Sequence, residues 1–175
     1  MCEAEGMGLA PWGALGRGMF KTAEQYNAAD RDGRKVGPQK EKYVRITEKL
    51  NALAKKKGTE ITSIALAYVM HKQPYVFPII GGRKIEHLKS NIEALGVELT
   101  DDEIDEIESA EPFDHGFPVS FIFGYGGQQY NSRMQAKDIK LLSTTGQIET
   151  VPKQRPIPPR QGEQMLEKEA ATKRI

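Results

Sequence analysis

The chain has one cysteine, one tryptophan and three histidines among its 175 residues. A lone cysteine, Cys2, closes no internal disulfide, and this usage fits a reducing compartment; the expectation is a soluble, cytoplasmic protein. His71, His87 and His115 are scattered along the chain without metal-ligand spacing, so no metal site is expected. No apolar run approaches the roughly 20 residues that span a bilayer, and the N-terminus lacks the basic and apolar regions of a signal peptide. Surplus charge is also missing. The formal net charge is +1, with both signs interspersed, which leaves no electrostatic footprint for nucleic acid or an acidic membrane. Hydrophobic residues make up 38% of the chain, little for a globule of this size, so part of it should be loop or tail. No internal repeat is visible.

The periodic segments lie in the first two thirds. Residues 9–12 are short and apolar, as at the end of a buried strand, and run directly into the glycine-rich turn 13–18. Nothing structured precedes them, which has the look of a truncated fold. Over residues 40–57, Tyr43, Ile46, Leu50, Leu53 and Ala54 recur at helical spacing, with Gly58 where a C-terminal cap belongs. A second helix is predicted from Thr62 as N-cap to a point before Pro74, apolar nearly all round and therefore buried. Residues 75–80 form a continuous apolar run ending at Gly81-Gly82, as in a strand buried on both faces, although Pro78 removes a ladder donor. A helix over 84–95 carries Ile85, Leu88, Ile92 and Leu95 as one apolar stripe, with His87, Ser90 and Asn91 on another face. Thr100 with Glu103 spells a capping box for a last helix reaching about Ala110.

Helices and strands in this order define an α/β architecture, but two strands make no parallel sheet by themselves. The remainder must be missing or come from another chain. From about Gln135 the composition turns to Lys, Gln, Thr and Pro, which predicts an extended or disordered tail, with a short charged helix at 163–173 marginal at that length.

The chemically informative stretch is 79–91. A strand that delivers glycines to a helix N-terminus aims backbone N–H groups and the positive end of a dipole at one point, the usual basis of phosphate binding, and Arg83 can add a bidentate guanidinium. Read without further context, the same residues fit an ordinary strand-to-helix turn with Arg83 and Lys84 solvated.

The segment Gly8-Leu9-Ala10-Pro11-Trp12, the run from Val76 to Ile92 and the stretch Pro112-Phe113-Asp114-His115-Gly116-Phe117-Pro118 together resemble the aldo-keto reductases, in particular the fungal aryl-alcohol dehydrogenase and norsolorinic acid reductase branch. The resemblance covers about residues 1–123 and leaves 124–175 as tail. It implies the C-terminal portion of a (β/α)8 TIM barrel, incomplete, and an NADPH-dependent oxidoreductase acting on aryl aldehydes or ketones. It further implies that Ala10, Pro11, Trp12, Gly13, Leu15, Gly16, Arg17 and Gly18 lie along the cofactor pyrophosphate. Gly81, Arg83, His87, Ser90 and Asn91 would hold the adenosine 2′-phosphate and adenine, with His87 where many members have glutamine. The family's catalytic aspartate, tyrosine, lysine and histidine sit on its first four strands, and no residue here occupies a matching context, so no catalytic residue is assigned. Trp12 and the aromatics from Phe113 to Phe123 read either as a substrate wall or as packing. The rival reading is a non-catalytic protein that binds a nucleotide, or a partner through exposed barrel edges, with self-association a liability of those edges.

Overall fold

The computed structural model describes residues 1–2, 5–27, 40–112, 116–118, 121 and 155. The tail and most of the 113–123 aromatic stretch, Phe113 and His115 included, lie outside the described residues. Among the described residues five α-helices run α1 (Ala23–Asn27), α2 (Glu41–Lys57), α3 (Ile61–His71), α4 (Ile85–Glu93) and α5 (Asp101–Glu108), with 3-10 turns at Gly16–Gly18 and Ala94–Gly96. By backbone contacts the described residues up to Glu111, with Arg155, belong to one compact unit and Pro112, 116–118 and Phe121 to a second.

α2 forms where its periodicity predicts and stops at Gly58, which takes a left-handed conformation (φ 65°) that an L side chain would strain; its N–H is directed at the carbonyls of Ala54 and Lys55. α3 starts one residue before Thr62. Its N-cap is Glu60, with no side-chain cap bond, and Thr62 falls inside the first turn. The expectation of a largely buried α3 holds, since Ile61, Ser63, Ile64, Ala65, Leu66 and Ala67 are all buried. α3 lies at the centre, packed by α2 on one side and by α4 and the Ala94–Gly96 turn on the other, while α5 closes over α2. Leu50, Leu53, Ile64, Leu99, Ile104 and Ile107 form the core, with Leu15 and Phe20 from the glycine-rich loop against it.

The α5 capping box is complete. Thr100 accepts from the Glu103 N–H at 3.2 Å and the Glu103 carboxylate accepts from the Thr100 N–H at 3.0 Å. Glu103 is nearly buried and pairs with Lys56 at 3.2 Å and Lys57 at 2.8 Å, fastening α5 to the end of α2. Burial pushes its carboxyl up, but hydrogen bonds from Lys57, the Thr100 backbone and Lys56 outweigh this and hold it at about 2. A depressed carboxylate stabilises the fold above its ordinary range and loses that contribution as pH falls toward 2. We expect about 2 kcal/mol from this group at neutral pH. Urea midpoints of the parent should therefore fall below pH 4.5, and those of Glu103→Gln should start lower and fall less.

Thr47 offers a second test of packing. Its hydroxyl on α2 is buried with no hydrogen-bond partner, a desolvated polar group with nothing in return. The isostere Thr47→Val should raise stability by about 1 kcal/mol, readable as a higher urea midpoint with unchanged slope.

Two sequence expectations are corrected. The segments 9–12 and 75–80 do run parallel and adjacent, but as two isolated bridges, Leu9 with Val76 and Trp12 with Ile79, and no strand forms among the described residues. The two bridges share one register. Leu9 N–H donates to the Tyr75 carbonyl, and Phe77 and Ile79 N–H donate to the carbonyls of Leu9 and Pro11, at 2.7–2.9 Å. The gap falls at Pro11, which has no N–H for the Phe77 carbonyl. Pro78, suspected from the sequence, lies between the donors Phe77 and Ile79, so its missing N–H belongs to the opposite edge.

The second correction concerns α4. Its apolar stripe is not the most buried face: Ile85 is 70% exposed, Leu88 55% and Leu95 44% and only Ile92 of the stripe is half-buried, whereas Asn91 and Ala94 are buried. The predicted helix also ends at Glu93, with Ala94–Gly96 tightening into a 3-10 turn.

Candidate functional site

Parallel pairing has a direct consequence for the two phosphate-type segments. Because Trp12 lies beside Ile79, the loop starting at Gly13 and the loop starting at Gly81 leave from the same end of the ribbon. Carboxyl ends of parallel strands are where α/β folds gather their ligands.

The first loop is wound tightly. Gly16 N–H donates to the Gly13 carbonyl at 2.9 Å, Gly18 N–H to Leu15 at 3.2 Å and Met19 N–H to Gly16 at 3.0 Å. Gly16 (φ 60°), Arg17 (φ 55°) and Gly18 (φ 85°) are successively left-handed. Two of these are natural glycine positions, but Arg17 carries a strain of about 1 kcal/mol. Its guanidinium lies over the Trp12 ring, 4.8 Å from the centroid, a cation–π contact that offsets part of that strain. Trp12 itself is 66% exposed. Ala10 is exposed, Pro11 uses its carbonyl in the ribbon, and Leu15 turns its side chain into the helical core, leaving its backbone for the loop.

The second loop feeds α4. No side chain caps the α4 N-terminus, where Lys84 is the N-cap, so its N–H groups are left to other partners. Gly81 is open to its surroundings, while a Cβ at Gly82 would meet the His87 Cβ at 2.8 Å. His87 thus rests on Gly82, and any side chain at position 82 would displace it. Arg83 and His87 are exposed at this end of α4. Asn91 sits one turn below His87 on the same side of the helix, 7% exposed, without a hydrogen-bond partner among the described residues. Ser90 is half-buried, its hydroxyl 3.5 Å from that of Ser63 on α3.

The structure therefore brings Trp12, Gly13, Gly16, Arg17 and Gly18 to the same end of the ribbon as Gly81 and Arg83, with His87, Ser90 and Asn91 running along α4. Sequence reasoning missed Gly82 as the seat of His87. The glycine pair was visible, but the clash that demands glycine is a contact five residues ahead. It also missed the Arg17–Trp12 stack, which depends on the left-handed turn between them.

Among the described residues, the tyrosine, lysine and histidine around the end of α3 are engaged in structural contacts. Tyr68 and Lys72 do come together on α3, but Glu108 takes both: the Tyr68 hydroxyl donates to its Oε1 at 3.1 Å and the Lys72 ammonium pairs with the same oxygen. Burial, with the Glu108 charge behind it, pushes the Tyr68 phenol far above its ordinary value, the wrong direction for a proton donor. His71 is occupied structurally, with Nδ1 2.7 Å from the Ala67 carbonyl and Nε2 accepting from the Leu99 N–H at 3.5 Å. Among the described residues no group of His, Cys, Asp and Glu could hold a metal ion, and no helix is long and apolar enough to cross a membrane.

A parallel ribbon with glycine loops and a helix N-terminus without a side-chain cap at its carboxyl end has the form of a piece of an α/β fold. Residues 1–112 match the model of the aldo/keto reductase family, and the chain belongs to that family. It is 61% identical over 162 residues to norsolorinic acid reductase A of Aspergillus parasiticus, covering 93% of this chain and 41% of that protein. It is 48% identical over 168 residues to a norsolorinic acid reductase of Emericella nidulans, covering 96% of this chain and 43% of the relative. It is 43% identical over 165 residues to an aryl-alcohol dehydrogenase of Pestalotiopsis microspora, covering 93% and 41%. The chain thus spans about two fifths of the length of these relatives. The family is one of oxidoreductases built on a (β/α)8 barrel and using a nicotinamide cofactor with a carbonyl substrate.

Proposed function

We propose that this chain supplies the adenosine and pyrophosphate half of an NADPH site in a reductase of aryl aldehydes or ketones, and contributes no catalytic side chain itself. The observation that carries the reading is the parallel pairing of Leu9 with Val76 and Trp12 with Ile79, which brings the 13–18 and 81–83 loops to one end of the ribbon. The groups gathered there suit the ligand. Arg17 and the turn around it would take the pyrophosphate, Arg83 and the uncapped start of α4 the 2′-phosphate, and His87 with the unpartnered Asn91 amide the adenine. Held by these residues, a nicotinamide cofactor would supply the hydride for a carbonyl carbon. No described residue is assigned as donor of the proton to the carbonyl oxygen, and the Tyr68 hydroxyl is held by Glu108. Substrate class follows from the names of the relatives, which include an aryl-alcohol dehydrogenase.

A second reading, a nucleotide-binding protein of the family without turnover, is favoured by the same locked Tyr68. One experiment separates the two. Residues 1–123 are joined to the complementary part of a related reductase, and NADPH oxidation with aromatic aldehydes is followed at 340 nm. We expect turnover by the joined barrel and none above the blank by the 175-residue chain alone. A joined barrel that binds NADPH without turnover would favour the second reading, and one that binds no NADPH would overturn both.

A further inference from the structure

Four of the chain's ten prolines fall between Val151 and Arg160, together with Lys153, Arg155 and Arg160 and no acidic residue. Proline offers no N–H to a helix or a ladder, and proline-rich runs serve instead as polyproline II recognition segments. Neither the nucleotide loops nor the helical core uses this one. The family model ends at residue 112, but the matches to the two norsolorinic acid reductases, over 162 and 168 of the 175 residues, necessarily include 153–160. Arg155, the described residue of the run, is exposed and outside regular secondary structure. A polyproline II helix has three residues per turn, so in that geometry Lys153, Pro156 and Pro159 fall on one edge and Arg155 and Pro158 on the next. Gln154, Ile157 and Arg160 take the third edge, turned away from the other two.

We propose that residues 153–159 are a docking motif for an SH3-type domain. Two prolines one turn apart match the aromatic-lined grooves that read such segments, and a peptide restrained by proline loses little entropy on binding. Arg155-Pro156 and Pro158-Pro159 fill two successive pockets of the groove. Arg155 lays its aliphatic stem in the first and keeps its guanidinium in water. Lys153, one turn ahead of the first proline, meets a carboxylate at the end of the groove, which sets the direction in which the segment lies. That leading cation favours an SH3 groove over a WW domain, and no tyrosine follows the Pro158-Pro159 pair. Docking here requires neither the cofactor nor the complementary part of the barrel.

The test titrates the full 175-residue chain calorimetrically into a recombinant SH3 domain of the class that binds a basic residue three positions before the first proline. We expect one-to-one binding. Pro156→Ala and Pro159→Ala should each weaken it about tenfold or more, since each empties a pocket at the centre of the groove. Lys153→Glu should weaken it by a similar factor, because it sets two carboxylates against each other. Ile157→Ala, on the edge turned away from the groove, should leave the affinity unchanged within about twofold. No binding would overturn the proposal. So would binding that Pro156→Ala and Pro159→Ala leave intact, a loss on Ile157→Ala equal to theirs, or tighter binding to a WW domain than to the SH3 domain.

Discussion

Replacing Arg83 by alanine in the joined barrel should weaken NADPH binding about 10- to 150-fold and leave NADH binding unchanged within about twofold. The range follows from a guanidinium paired to a phosphate dianion, a charge-assisted contact of about 1.5–3 kcal/mol, set against the uncharged 2′-hydroxyl of NADH. Arg83 sits at the exposed start of α4, one residue before the N-cap Lys84, so its removal disturbs no core packing. Calorimetric titration of both dinucleotides reads the ratio directly. Equal losses for the two would make Arg83 a general electrostatic contributor, and no loss at all would make it a turn residue. Arg83→Lys should recover only part of the preference, because an ammonium cannot match the phosphate bidentately.

The largest expected effect on stability is Ile64→Ala, a loss of about 3–4 kcal/mol. Ile64 is 0% exposed at the centre of α3, the helix that α2 and α4 both pack against. Truncation there removes the transfer energy of the side chain and leaves a cavity that the surrounding helices fill only in part. The informative control is Ile85→Ala. Sequence periodicity puts Ile85 on an apolar stripe as plainly as it puts Ile64 in a core, yet Ile85 is 70% exposed. In the isolated chain this change should shift stability by less than about 0.5 kcal/mol. Urea unfolding of the two variants separates the buried helix from the uncovered one. Similar losses would contradict the described packing of α4.

These two isoleucines mark what was legible in the sequence. Local chemistry was: the Gly58 cap, the Thr100–Glu103 capping box and the apolar face of α2 follow from short-range rules, and each forms as expected. Periodicity identifies which face of a helix is apolar but not what covers it, and on α4 Ile85, Leu88 and Leu95 stay exposed while Ile92 is half-buried. The start of α3 was misplaced because Thr62 is a good cap by type, while the helix begins a residue earlier from Glu60 without a side-chain cap. The two apolar segments were identified and do pair, but a two-segment ribbon with Pro11 in its hydrogen-bonding register yields isolated bridges. Of the site, the glycines and Arg83 were visible as a pattern. That both lie at one end of the ribbon followed only from the family resemblance, because it depends on a parallel pairing between segments more than sixty residues apart.

The central claim, that the loops after residues 12 and 80 form one dinucleotide phosphate site, can be tested on the chain as it stands. Trp12 is its single tryptophan and lies under Arg17 at 4.8 Å, so a phosphate that draws the Arg17 guanidinium away must change the indole emission. The oxidised cofactors NADP and NAD are the suitable titrants, since they do not absorb where tryptophan emits. A saturable change in Trp12 emission is predicted for both, with the NADP midpoint at least about tenfold below that of NAD. Emission that stays constant with either cofactor, or identical midpoints for the two, would contradict the account.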